Sequence, residues 1–108
     1  MTQAIVVQTT TSSSADAKKL AQIIVDQAQG ACVQITGPIT SVYKWQDAVQ
    51  MEEEYLVSIK TTSQAFPTLA ELIRTNHAYD VPEIIALPIV DGSREYLTWV
   101  TNQVHDHS

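Results

Sequence analysis

The chain has 108 residues, 44% of them hydrophobic, and its twelve acidic and six basic residues give a formal net charge of −6 at neutral pH. This length suits one domain with a modest core, and no apolar run approaches the ~20 residues that cross a bilayer. An acidic chain whose only adjacent basic pair is Lys18-Lys19 is a poor partner for nucleic acid. The first residues lack the basic and apolar segments of a signal peptide, so we expect a soluble, cytoplasmic protein.

The first two predicted elements are a buried strand and an amphipathic helix. Residues 3–9 form a short apolar run that ends in polar side chains, which is typical of a central strand. The hydroxyl side chains that follow can cap a helix beginning near Ser13 or Ser14. Apolar side chains then recur every three or four residues as far as Ala28, and Gly30 predicts that the helix ends at 29–30.

The middle third, residues 31–62, predicts one long β-hairpin. Odd positions are mostly apolar and even positions mostly polar in both arms, which is the period of a sheet with one buried face. Gln46-Asp47-Ala48 supplies the turn, and Pro38 predicts a bulge or an edge position in the first arm. Each arm exceeds the ~5–6 residues of an average strand, and its edge would invite pairing with another chain. We therefore expect the hairpin to point towards other subunits.

The next predicted element is a second amphipathic helix. Thr61-Thr62-Ser63 would cap it, and its apolar stripe runs from Phe66 to Ile73. Pro67 is tolerated only in the first turn, and the helix is expected to end near 76–77.

A strand and a third helix complete the chain. The strand covers 83–90 and is interrupted by Pro88, and residues 91–93 form a turn and a helix cap. The last helix carries apolar side chains from Tyr96 to Val104, and the tail, 105–108, is expected to be frayed.

The element order is β-α-β-β-α-β plus a C-terminal helix. Strands separated by single helices around one central hairpin favour an α+β, ferredoxin-like split βαβ sandwich. Right-handed crossovers make this topology the natural closure of the elements. We expect residues 1–108 to form a single domain.

Several chemistries have no sequence support. The three glycines match neither nucleotide-binding fingerprint, and no Cys/His pair has the spacing of a zinc finger. Serine, histidine and acidic residues are present without a nucleophile-elbow motif. The sequence therefore predicts a protein that is not an enzyme.

A polar cluster on the connection after the second helix is the strongest candidate site. Residues 77–83 combine the imidazole of His77, the phenol of Tyr79 and the carboxylates of Asp80 and Glu83, and loops on a scaffold often carry function. Such a set could hold a divalent cation, or His77 could be a hydrogen-bonded structural residue. His105 and His107 in the tail would chelate only weakly.

Charged residues of the hairpin and the single cysteine leave alternatives open. Glu54 and Lys60 share the even face, too far apart to pair directly at ~3.3 Å per residue, and either line one groove or are separate surface charges. Glu53 would interrupt the apolar face unless it marks a bulge or a solvated strand end. Cys32 is the single cysteine, so no intrachain disulfide can form. It is either a small buried hydrophobe or a thiolate ligand for copper.

Six short motifs follow one another in a fixed order along the chain. They are Ala31-Cys32-Val33, Ile39-Thr40-Ser41-Val42-Tyr43-Lys44-Trp45, Glu54, Ile59-Lys60-Thr61, His77-x-Tyr79-x-x-Pro82-Glu83 and Tyr96-x-x-Trp99. Each motif is weak alone, but the ordered set resembles the CutA family of divalent-cation tolerance proteins.

The resemblance implies a ferredoxin-like subunit in a tight homotrimer, with the hairpin pairing across subunits as in PII-type signalling proteins. It implies that clefts between subunits collect a set of ligand-binding side chains, namely Tyr43, Trp45, Glu54, Lys60, Tyr79 and Trp99. It also implies copper or another divalent cation as ligand, with three candidate metal residues, His77, Glu83 and Cys32. Thr9 and Asn76 replace a thiol and a second imidazole found in some bacterial members, which weakens a copper site built on those positions.

Two functional hypotheses follow. The first is a non-enzymatic homotrimer of divalent-metal (copper) tolerance or homeostasis that binds metal weakly or transiently near the intersubunit clefts. The second is a PII-like trimeric signalling or scaffold module that binds a small effector or a protein partner.

Overall fold

The computed structural model describes residues 3–105. Its elements follow the predicted order: β1 (Ala4–Thr11), α1 (Ser14–Asp26), β2 (Cys32–Trp45), β3 (Ala48–Thr62), α2 (Phe66–Thr75), β4 (Ile85–Pro88) and α3 (Arg94–Gln103). None of the helices within the described range combines the length and apolarity needed to span a bilayer. The expected frayed tail begins at His105, whose backbone N–H donates to the Ala28 carbonyl at 2.9 Å, and residues 106–108 lie outside the described range.

The four strands form one antiparallel sheet in the order β2-β3-β1-β4. The predicted ferredoxin-like α+β fold is thereby confirmed, with β1 central as expected and β2 and β4 at the edges. Helices α1 and α2 cover the sheet face that carries the odd residues of β1 and β3. The buried core contains Ile5, Val7, Ala17, Leu20, Ile24, Val57, Ile59, Leu69 and Ile73. Each large side chain of this kind stabilises the fold by about 1.5–3 kcal/mol when fully buried.

Helix α1 begins at Ser14, where predicted, but ends at Asp26 and not at Gly30. Ala28 adopts the left-handed conformation that was expected of the glycine, with φ of 56°. The N–H groups of Ala28 and Gln29 donate to the carbonyls of Val25 and Ile24, which is the Schellman pattern. Gly30 serves close packing instead, because a Cβ there would lie 2.7 Å from Ile59 Cγ2 and 2.8 Å from Ile24 Cγ2.

Helix α2 and strand β4 are both shorter than predicted. Thr61 and Thr62 belong to β3, so they do not cap α2 directly, although Thr62 Oγ1 accepts a hydrogen bond from the N–H of Ala65 at the turn before the helix. Pro67 lies in the first turn of α2, as expected. Strand β4 covers only Ile85–Pro88 and pairs with β1 over these four residues.

The hairpin turns at Gln46 and Asp47, whose φ values of 51° and 65° match a two-residue type I′ turn. The predicted bulge is present between Thr36 and Ile39. Beyond the bulge, the odd residues of β2 share a face with the even residues of β3. The prediction that odd residues of both arms share one face is therefore wrong for the distal part of the hairpin. Ile35 pairs with Val57 before the bulge, whereas Ile39 pairs with Glu54 after it, because one extra residue on one strand reverses its pattern relative to its partner.

The distal hairpin, residues 39–54, therefore has two distinct faces. One carries Ile39, Ser41, Tyr43 and Trp45 beside Ala48, Gln50, Glu52 and Glu54. The other carries Val42 and Lys44 opposite Met51 and Val49, with Glu53 exposed opposite Thr40. Val49 and Met51 are 69% and 71% exposed, so this second face is an uncovered apolar surface.

Candidate functional site

A cleft of about 730 Å³ opens between the distal hairpin and the loop that joins α2 to β4. Its floor is the hairpin face that carries Tyr43 and Glu54, and its wall is formed by residues 79–83 of the loop. Four carboxylates line it, from Glu52, Glu54, Asp80 and Glu83. Three aromatic side chains line it as well, from Tyr43, Trp45 and Tyr79. We refer to it as the acidic cleft.

Glu54 is the most enclosed carboxylate of the acidic cleft, with only 8% of its surface exposed. Its Oε2 accepts a hydrogen bond of 2.8 Å from the Tyr79 hydroxyl. Within residues 3–105, no lysine, arginine or histidine forms an ion pair with Glu54. A buried carboxylate is costly unless it is paired or well hydrogen-bonded, so Glu54 gives the cleft a strong preference for positive charge.

The two tyrosines of the cleft stay protonated at neutral pH. Burial first, and then the hydrogen bond to Glu54, raise the pKa of Tyr79 far above the ordinary value of 10.0. Desolvation and the neighbouring Glu52 carboxylate likewise raise the pKa of Tyr43. Both phenols therefore act as neutral hydrogen-bond donors and add no negative charge to the four carboxylates.

His77 positions the loop and does not face an open ligand position. Its Nδ1 accepts a hydrogen bond from the Tyr79 N–H at 3.1 Å, and its Nε2 lies 2.6 Å from the Thr10 carbonyl. The carbonyl can only accept, so Nε2 carries the proton and donates. The His77 ring also packs against Tyr79, with ring centroids 4.7 Å apart. His77 thus ties the loop to β1 and holds Tyr79 over Glu54.

The other predicted site residues lie elsewhere. Lys60 is six residues from Glu54, roughly 20 Å along β3, and its Nζ donates to Gln34 Oε1. Cys32 is half-buried, pairs with Lys60 across the sheet, and lies beside Tyr96, whose pKa is raised by burial and by the Cys32 thiol. The Trp99 ring packs against Tyr96 in a tilted arrangement, with ring centroids 5.6 Å apart. Cys32, Lys60 and Trp99 thus lie near the start of β2, away from the acidic cleft.

The three candidate metal residues are not adjacent. Glu83 lines the cleft, His77 lies behind the loop with both nitrogens bonded, and Cys32 is beside α3. Within the described part of the chain, no three His, Cys, Asp or Glu side chains lie close enough to hold a metal ion.

Glu52 is a charged cleft residue that was not among the predicted site residues. The bulge at Gly37-Pro38 is the signal that identifies it, because the reversed alternation beyond the bulge places the even positions of β3 beside Tyr43. Counting the alternation afresh after Pro38 would have put Glu52 and Glu54 on the aromatic face.

Comparisons with known proteins extend over nearly the whole chain. The family model described as CutA1 divalent ion tolerance protein matches residues 5–103. The divalent-cation tolerance protein CutA of Thermus thermophilus is 45% identical over 95 residues, which cover 88% of this chain and 92% of the relative. The chloroplastic protein CutA of Arabidopsis thaliana is 45% identical over 102 residues, which cover 94% of this chain but 56% of the plant protein.

Solved structures give the same result. The divalent cation tolerance protein of Thermus thermophilus superposes with a TM-score of 0.92 at 42% identity, covering 94% of this chain and 99% of that one. CutA1 of Oryza sativa superposes with a TM-score of 0.94 at 41% identity, covering 96% and 95%. The resemblance seen in the sequence motifs is confirmed, and this chain belongs to the CutA1 divalent ion tolerance family.

Proposed function

We propose that this protein acts in divalent-cation tolerance as a homotrimer that binds metal weakly or transiently in the acidic cleft. The observation that carries this proposal is Glu54, a carboxylate 8% exposed that has no ion-pair partner among the described residues. A divalent cation entering the cleft would offset the cost of burying that charge. Because no three ligands are preassembled within residues 3–105, we expect water to complete the coordination shell and the affinity to be modest.

Following the sequence motifs, we propose copper as one of the divalent cations that the acidic cleft binds. Imidazole and thiolate favour copper, whereas carboxylate and water favour Mg²⁺, Ca²⁺ and Mn²⁺. In the acidic cleft Glu83 would be one ligand, and His77 would join only after its hydrogen bond to Thr10 opens. Cys32 would need a separate site beside α3. The geometry therefore favours a cation site with little selectivity over a dedicated copper site.

The homotrimer is supported by apolar surface that a single chain leaves uncovered. Val49 and Met51 are exposed on the hairpin face opposite the cleft, and Ile85 and Leu87 are 46% and 41% exposed on the β4 edge strand. Covering such edges stabilises a sheet and prevents unspecific pairing. Sedimentation equilibrium should give three times the 11.9 kDa of one chain. The cytoplasmic location stays a prediction.

A PII-like signalling or scaffold module is the second candidate. The aromatic side chains on the floor of the cleft favour it, because Tyr43 and Trp45 are not needed to hold a metal ion. Four carboxylates repel anionic metabolites, so any effector in this cleft should be a cation.

Calorimetric titration of copper tests the metal proposal. We compare the full-length chain, a version ending at Val104 and the Glu54→Gln variant. The matched control is Glu95→Gln, which changes an exposed carboxylate on α3. Glutamine keeps an acceptor for Tyr79 while removing the charge. We expect binding to survive truncation and to weaken at least threefold only in Glu54→Gln. Binding that disappears with the tail would overturn the proposal.

A further inference from the structure

The size of the acidic cleft exceeds what a metal ion needs. An ion with six waters occupies roughly 200 Å³, at about 30 Å³ per water. The open cleft has a volume of about 730 Å³, within the range of pockets that hold organic ligands, roughly 300–1,000 Å³. Its floor from Ser41 to Trp45 spans four residues, or about 13 Å at ~3.3 Å per residue. This shape suits an elongated ligand.

The floor of the cleft separates aromatic from acidic side chains. Tyr43 and Trp45 project from β2, whereas Glu52 and Glu54 project from the facing part of β3. Tyr43 and Trp45 are 40% and 50% exposed, so they offer accessible aromatic surface to a ligand. Aromatic faces attract organic cations and pack against alkyl chains.

The charge of the cleft defines the sign of that ligand. Glu52, Glu54, Asp80 and Glu83 all line it, and within residues 3–105 none of them forms an ion pair. Glu54 is more than nine-tenths buried and lies at the inner end of the floor, opposite Ile39. A bare metal ion would satisfy the carboxylates but would make no use of Tyr43 and Trp45, which we call the aromatic column. A ligand with a cationic head and an apolar stem satisfies both.

We propose that the acidic cleft binds an elongated organic cation whose ammonium or guanidinium groups meet Glu52 and Glu54 and whose alkyl stem packs on Tyr43 and Trp45. The inference shares the cleft with the proposed metal function but rests on the aromatic column. The same chemistry occurs in a free polyamine and in the lysine or arginine side chains of an extended peptide.

Trp45 fluorescence provides the test. The protein has two tryptophans, so a Trp99→Phe background makes the emission report Trp45 alone. The assembled full-length protein is titrated with spermidine and, separately, with tetralysine peptide at constant ionic strength. We expect a saturable change with at least one of them. Saturation by spermidine assigns a free polyamine, and saturation only by tetralysine assigns a basic peptide.

Variants separate this binding from the metal function. Calorimetry should show that Glu54→Gln and Trp45→Leu each weaken the organic cation at least about tenfold, whereas Glu95→Gln leaves it unchanged. Trp45→Leu should leave Mn²⁺ binding unaltered, so the two proposals can fail independently. No saturable response to either ligand, or equal affinity in the Glu54→Gln variant, overturns the inference.

Discussion

The hydroxyl of Tyr79 donates a 2.8 Å hydrogen bond to the carboxylate of Glu54, joining the α2–β4 loop to the hairpin. This contact closes one side of the acidic cleft and fixes the carboxylate that attracts cations. It is supported from behind by His77, which holds the Tyr79 backbone. The cleft therefore depends on three residues from two distant parts of the sequence.

Removing the Tyr79 hydroxyl should destabilise the protein. Tyr79→Phe leaves a nearly buried carboxylate short of one donor, so the free energy of unfolding should fall by about 1–3 kcal/mol. Urea denaturation at fixed protein concentration measures it. In a double-mutant cycle with Glu54→Ala, which removes the acceptor, the two losses should not add. Strict additivity would show that the contact contributes nothing.

Alkaline pH should weaken the same contact. Because the pKa of Tyr79 is raised above its ordinary value of 10.0, the folded state holds the proton more tightly than the unfolded state. The stabilisation is complete below about pH 10 and is lost as pH rises above it. Unfolding free energies between about pH 8 and 11.5 should fall less steeply in Tyr79→Phe. Some slope should remain, because the pKa of Tyr43 and Tyr96 is also raised. Identical slopes in the variant and the parent would refute this reading.

Replacing His77 should loosen the loop without unfolding the sheet. His77→Ala removes the bonds to Thr10 and to the Tyr79 N–H, so that amide should exchange with solvent at least about tenfold faster, the effect of losing roughly 1.4 kcal/mol of protection. The core amide of Val7 on β1 is the internal control and should keep its exchange rate. Unchanged exchange at Tyr79 would show that His77 does not tether the loop.

Gly30 should tolerate no side chain. In Gly30→Ala the new methyl would meet the Cγ2 atoms of Ile24 and Ile59 at under 3 Å, and overpacking of this kind costs about 1–3 kcal/mol. Gly92→Ala is the control, since its nearest contact is the Leu97 side chain at 3.3 Å. Equal thermal stability of the two variants would contradict the packing described for Gly30.

A glycine at position 28 should stabilise the protein. Ala28 adopts a φ of 56° at the end of α1, a conformation that costs a residue with a Cβ about 1–2 kcal/mol and glycine almost nothing. Ala28→Gly should raise the midpoint of thermal unfolding, whereas the helical control Ala21→Gly should lower it. A lower midpoint for Ala28→Gly would mean that the greater conformational entropy that glycine gives the unfolded chain outweighs the relief of backbone strain.

The sequence predicted the elements better than their relative placement. Period-two alternation and capping residues identified the hairpin and the first helix, and Pro38 located the bulge, because these signals are local. The alternation beyond the bulge depends on how one extra residue is accommodated, so the grouping of Glu52 with Tyr43 was missed. The left-handed turn fell on Ala28 because Gly30 was required for contact with Ile24 and Ile59. Both outcomes depend on tertiary packing that no short motif encodes.

The candidate site, like the fold, was predicted only in part. Motif order correctly indicated the family, and Tyr43, Trp45, Glu54, Tyr79 and Glu83 do line one cleft. Within one chain, Lys60 and Trp99 lie with Cys32 at the other end of the hairpin, and the spacing along β3 already predicted that Lys60 does not reach Glu54. The predicted clefts lie between subunits, so the grouping of Lys60 and Trp99 with Glu54 stays a prediction.

The most direct test of the central claim, that divalent cations enter the acidic cleft, is paramagnetic broadening of amide resonances by substoichiometric Mn²⁺ in the full-length protein. Mn²⁺ prefers carboxylate oxygens, and weak binding suffices for the effect. We predict that the amides of residues 50–54, 79–81 and 83 broaden first, and that Glu54→Gln weakens this broadening at least threefold. Broadening centred on Cys32 or on the tail, with the cleft unaffected, would contradict the claim.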